Sequence, residues 1–150
     1  MQIRSDIERK RLFGYEAQQQ TGSSIDSGIY TQEAGRKTYL YLAECAKVVI
    51  DAGFSAIIDA AFLKTEERDL FRKLAGECGV QFFILDFQAS DEELARRLRQ
   101  RQDDPSEATT EVLRRQQQSA QPLSNEELAS VITVNTGSDN ALELLLEGIR

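Results

Sequence analysis

Apolar positions recur along this chain with two different periods, and the change of period divides it into helices and strands. From Thr31 to Ala52 the residues Tyr39, Leu42, Ala46 and Val49 return every three to four positions, which predicts an amphipathic helix stopped by Gly53. "FSAIIDAAF" predicts a buried strand that closes on an acid, and "VQFFILDF" is a continuous apolar run of the kind a central parallel strand shows. Between them Thr65 is placed to cap a helix with Leu70, Phe71, Leu74 and Cys78 on one side. Upstream, "QIR" predicts a short strand, and "SDIERKRLFG" predicts a two-turn helix with Ser5 as N-cap, Glu8 three residues on and Gly14 as stop. Downstream, Ser90 and Glu93 form a capping-box pattern before an arginine-rich helix broken by "DDPS", and a second helix runs from Glu107 to about Gln118. "SNEELA" is a capped helical turn, "SVITVNT" a strand, and "SDNALELLLEGIR" a closing helix.

The sum is strand, helix, loop, helix, and then three strands each followed by helix. That alternation predicts an α/β fold, a parallel sheet with flanking helices joined by crossovers. One segment falls outside the pattern: "YEAQQQTGSSIDSGIY" has no period and is rich in Gly, Ser and Gln, a loop of a length usually kept for function or left disordered. No internal repeat and no long linker divides residues 1–150, so a single domain is expected.

Composition narrows the chemistry. With 41% hydrophobic and 29% charged residues the chain reads as an ordinary globular protein, and no apolar run approaches the ~20 residues of a membrane span. Without a signal peptide, the cytoplasm is the expected location. A net charge of −7 argues against a surface built for nucleic acid as a whole but leaves room for a local basic cleft. The absence of His removes His-based catalysis and His-ligated zinc, so acid–base work falls to carboxylates. Cys45 and Cys78 lie on apolar helix faces without metal spacing and read as reduced core residues.

Asp6 and Asp59 stand at the carboxyl ends of predicted strands, where parallel sheets place their ligands. A carboxylate there can accept a hydroxyl proton or help hold magnesium; it can equally be a helix cap or turn former. Arg9 follows Asp6 by one helical turn, so the two can share a face as an acceptor site or as a surface ion pair worth ~0.3 to 0.5 kcal/mol. Arg97 and Arg101 also share a face, suited either to binding phosphate oxygens from a flap or to interlacing with Glu92 and Glu93 as a solvated surface.

Taken in order, "IRSDIERKRLFG", "GIYTQEAGRKTYLYLAECAKVVIDAGFSAIIDAAFLKTEERDLFRKLA", "FILDFQASDEELARRLRQRQDDPSEATTEVLRRQ" and "VITVNT" resemble the P-loop kinase domains, AAA-type ATPase-like, often fused behind aminoglycoside-phosphotransferase-like domains in bacteria. More distantly they resemble polynucleotide kinases and zeta-toxin-type kinases. The resemblance implies a three-layer sandwich and transfer of the γ-phosphoryl of ATP, with magnesium, to a hydroxyl on a nucleotide, a nucleic-acid end or a small metabolite. It implies Asp6 as general base, Arg9 as a contact to the acceptor and Asp59 beside the phosphates and magnesium. It further implies Arg97 and Arg101 on a lid, about residues 96–118, that touches the transferred group.

Such kinases carry a strand, a G-x-x-x-x-G-K-[ST] loop and a helix before the equivalent of "IRSD", and no match to that loop occurs in the 150 residues. The expectation is therefore a domain lacking its first strand, phosphate loop and first helix, inactive as this chain and binding ATP only weakly. An internal start within a longer protein would produce such a chain; so would a shortened interaction module. In the resembling family the first strand lies between the strands ending at Asp59 and Asp86. Its loss leaves "SAIID" and "FFILD" to pair directly or to borrow an element from a second copy, and a homodimer is expected.

Overall fold

The computed structural model describes residues 1–22, 27–100 and 109–137. The predicted alternation is present: β1 (Gln2–Arg4), α1 (Ser5–Leu12), a 3-10 turn (Gly28–Tyr30), α2 (Gln32–Asp51), β2 (Ile57–Asp59), α3 (Thr65–Cys78), β3 (Ile84–Gln88), α4 (Asp91–Gln100), α5 (Thr110–Ser119), α6 (Asn125–Leu128) and β4 (Val131–Asn135). The expected closing helix after "VITVNT" lies outside the described residues, as does Arg101.

The strands form two parallel pairs. β1 pairs with β2 in the register Gln2 to Ile57, Ile3 to Ile58 and Arg4 to Asp59, and β3 pairs with β4 from Ile84 opposite Val131 to Gln88 opposite Asn135. Parallel neighbours far apart in sequence require crossovers, which the intervening helices supply. Among the described residues no ladder joins β2 and β3, so the two apolar strands do not pair directly there. The sequence expectation that both strands are buried is corrected accordingly: Ile57 is 55% and Phe87 60% exposed, so the sheet faces that carry these side chains are not covered by a packed layer among the described residues.

The apolar stripe of α2 faces inward as its spacing requires. Tyr39, Leu42, Ala46 and Val49 join Ile3 of β1 and Phe71 of α3 in the principal core, and Leu42 is fully buried. Two caps differ from expectation. Arg4, not Ser5, is the N-cap of α1 and makes no side-chain cap, and Lys64, not Thr65, precedes α3, where the Glu67 carboxylate accepts from the Lys64 amide at 3.1 Å. The reciprocal pattern does form at α6, between Ser124 and Glu127. Gly14 and Gly53 adopt φ of 80° and 83° just beyond the ends of α1 and α2, the left-handed conformation that a stop of this kind uses.

Candidate functional site

The register of β1 and β2 decides where the carboxylates lie. Arg4 and Asp59 are opposite one another at the ends of parallel strands, and α1 starts immediately after Arg4. Asp6, in the first turn of α1, and Asp59 therefore occupy the same carboxyl edge, the position where such sheets bind ligands.

Each is already engaged. The Arg4 guanidinium grips Asp6 with both arms, Nη2 to Oδ2 at 2.8 Å and Nε to Oδ1 at 3.3 Å, and the Ile7 amide donates to Oδ1 at 2.9 Å. This fork orients the carboxylate more firmly than a single bond would. Asp59 accepts from Gln2 Nε2 at 3.0 Å across the strand pair. Arg4 and Gln2 were not singled out in the sequence; their only signal is position, on the strand that pairs beside Asp59.

Arg9 turns elsewhere. No hydrogen bond or ion pair joins it to Asp6 among the described residues; its Nη1 donates to the Ile29 carbonyl at 3.0 Å and its guanidinium lies 5.4 Å from the centre of the Tyr30 ring. Burial lowers its pKa, opposed by the fields of Tyr39, Tyr30, Glu67 and Asp6. The next residue, Lys10, is 1% exposed and donates to the Ala17 carbonyl at 3.4 Å, while its own carbonyl accepts from the Tyr15 amide at 2.8 Å. Consecutive basic residues of α1 thus hold both ends of the aperiodic loop, Lys10 where it leaves the helix and Arg9 where it reaches the 3-10 turn.

Behind Asp59 the chain makes a strained turn. Phe62 has φ of 47°, uncommon for a bulky residue and costing of order 1–3 kcal/mol. Packing and hydrogen bonds over-determine it: its amide donates to Tyr39 Oη at 3.1 Å, its carbonyl accepts from Arg68, and its ring meets Phe71 edge-on at 5.3 Å and Tyr39 at 5.5 Å. Burial, with the Glu67 carboxylate beside it, raises the pKa of the Tyr39 hydroxyl, which stays neutral here.

The remaining sequence candidates belong to the other strand pair. Arg97 donates from Nε to Glu93 at 2.6 Å and from both terminal nitrogens to Thr136, which follows β4. Arg96 shares Glu93, and the two guanidiniums hold that carboxyl down to about 2. Arg97 is therefore tied along α4 and to the end of β4, while Arg101 lies outside the described residues.

Residues 1–123 match the model of the AAA domain family, a span that runs from β1 through α5. The chain belongs to this family. As an AAA domain it is a P-loop kinase-like α/β protein, in keeping with its small parallel sheets and flanking helices. No curated protein and no solved structure matches it. No helix among the described residues of this AAA domain is long and apolar enough to cross a membrane.

Proposed function

We propose that this chain is the acceptor-side portion of a P-loop kinase, the class that moves the γ-phosphoryl of ATP to a hydroxyl. The observation that carries the reading is the β1–β2 register, which sets Asp6 and Asp59 at one carboxyl edge with Arg9 a turn away. In this reading Asp6, oriented by Arg4, accepts the proton of the acceptor hydroxyl, and Arg9 binds an anionic group on the acceptor. Asp59 faces the phosphate and magnesium side, and Arg97 with Arg101 belongs to the lid. The acceptor is a nucleotide, a nucleic-acid end or a small metabolite, in keeping with a likeness to polynucleotide kinases and zeta-toxin-type kinases. The place of action is the cytoplasm.

The residues present do not by themselves make a magnesium–ATP site. Asp6 is committed to Arg4, Asp59 stands with Gln2, and no group of three metal-ligating side chains occurs among the described residues. Nor do the 150 residues hold a G-x-x-x-x-G-K-[ST] loop. The chain alone is accordingly expected to bind ATP with magnesium no better than millimolar by calorimetry. Micromolar affinity would overturn the expectation of weak binding and imply a phosphate site that the sequence does not announce.

One observation favours a second reading, a module that self-associates. Among the described residues β2 and β3 each keep an edge without a ladder, and Ile57, Phe83 and Phe87 are exposed on those strands or beside them. A homodimer that completes its sheet from a second copy would cover them. Light scattering at micromolar concentration should then give twice the chain mass, whereas a monomer with one cooperative melt would exclude it.

A further inference from the structure

Arg68 and Glu127 form a buried ion pair that the proposed chemistry does not use. They are 5% and 2% exposed, and they meet through Nε to Oε1 at 2.5 Å and Nη2 to Oε2 at 3.2 Å. A buried pair of this kind is a poor source of stability compared with apolar residues of the same volume. What it supplies is a choice of which segments meet.

The other acceptors of Arg68 show which segments those are. Nη1 donates to the carbonyls of Phe62 at 3.0 Å and Gln121 at 3.3 Å, and Nη2 donates to Thr65 Oγ1 and to the Pro122 carbonyl, both at 3.2 Å. Phe62 lies in the turn that leaves β2 after Asp59 and Thr65 opens α3 at its end; Gln121 and Pro122 follow the C-terminal end of α5. Two further bonds join the same segments, Gln121 N to Leu63 O at 2.7 Å and Thr65 N to Gln121 Oε1 at 2.8 Å. α5 in turn holds α4 through Gln117 Nε2 and Asp91 Oδ1 at 2.9 Å. Glu127 lies beyond the residues matched by the family model, so the pair joins the matched domain to the segment that leads into β4.

We propose that Arg68 is a positioning residue that couples the α4–α5 arm to the strained turn behind Asp59, so that displacement of one is passed to the other. Calling those two ends functional rests on the kinase reading; the coupling itself does not. A planar fork is needed, because one ammonium cannot face two carboxylate oxygens and three carbonyls at once.

Hydrogen exchange on the full chain tests this. Arg68→Lys keeps the charge and loses the fork, and exchange in residues 62–65 and in α5 should rise together, by about tenfold or more, with α2 unchanged. A rise confined to residues 62–68, or an equal rise in α2, would overturn the coupling. If Arg68→Lys does not fold, Gln121→Ala decides, since this exposed side chain supplies the acceptor of the Thr65 amide. Both segments should again loosen, by a few-fold, and an unchanged 62–65 would overturn the proposal. Near-normal turnover of Asp6→Asn in a longer chain that carries the phosphate loop would remove the proposed chemistry of that edge and leave either exchange result standing.

Discussion

The two parallel strand pairs are held by different means. Around β1 and β2 the chain collects an apolar core, with Ile3, Tyr39, Leu42, Ala46, Val49 and Phe71 packed together and Phe62 beside them. Around β3 and β4 the described residues bury one hydrophobic side chain, Val134, and the rest of the attachment is a five-rung ladder with polar ties. Thr136 donates from its amide and its hydroxyl to the Gln88 carbonyl, and Arg97 reaches Thr136 from α4. Burial is thus concentrated where Asp6 and Asp59 must be held, and the second pair relies on hydrogen bonds whose net worth is individually small. Substitutions should fall hard on the first region and on the joint, and lightly on the second.

The joint should show the largest effect. Arg68→Ala leaves the Glu127 carboxylate buried without its cation, and breaking a pair in this way costs about 3–5 kcal/mol. Urea denaturation should show a midpoint lowered to match; a loss below ~1 kcal/mol would mean that water reaches Glu127. Next comes the core of the first region, where Leu42→Ala should cost about 2–5 kcal/mol because no exposed route relieves the cavity. In the second region Val134→Ala should cost about 1.5 kcal/mol from the methylene equivalents removed. Equal losses at Leu42 and Val134 would break the contrast between the regions.

How much of this was readable in advance follows from the range of the interactions. Local periodicity is enough for α2, whose inward residues in the structure are those its spacing names, and for the order of strands and helices. The placement of Asp6 and Asp59 at strand ends was legible for the same reason. Partners far apart in sequence were not. Nothing near Arg68 in the sequence points to a carboxylate 59 positions away, and a lysine in a charged turn such as "ERKR" gives no sign that Lys10 is buried. Phe62 was hidden because left-handed backbone is read from Gly or Asn, and here tertiary packing imposes it on an aromatic. The exposure of β2 and β3 was missed because an apolar run announces a strand, not whether both of its faces are covered.

Acid separates the joint from the second region in another way. Arg68 holds Glu127 down to about 2, and Arg96 with Arg97 does the same to Glu93, so both carboxyls have folded pKa values below the ordinary 4.5. For a depressed acid the stabilisation is fully present above the unfolded value and is lost as pH falls from about 4.5 towards 2. Glu127 is buried, whereas Glu93 is half-buried with partners, Arg96 and Arg97, that are open to water, where the interaction is screened. Glu127→Gln should therefore flatten the fall in Tm between pH 5 and pH 3, roughly the window that linkage defines, while Glu93→Gln should leave most of it. The reverse ranking would place the acid-sensitive contact on α4.

The smallest effect tests the polar attachment itself. Arg97 is the tie between α4 and the end of β4, yet its guanidinium is largely open to solvent and shares Glu93 with Arg96. An exposed arginine in such a network gains little over its hydrated state, so Arg97→Ala should cost under ~1 kcal/mol, and raising the salt concentration should shrink even that. The ladder between β3 and β4 remains after the substitution, because Gln88 still receives the Thr136 amide at 2.9 Å. Hydrogen exchange should accordingly leave β4 protected and loosen only α4. A loss above ~2 kcal/mol, beyond the usual range for surface pairs, together with faster exchange in β4, would make Arg97 a fixed support of the second strand pair. In that event the division between an apolar first region and a polar, weakly tied second one would fail.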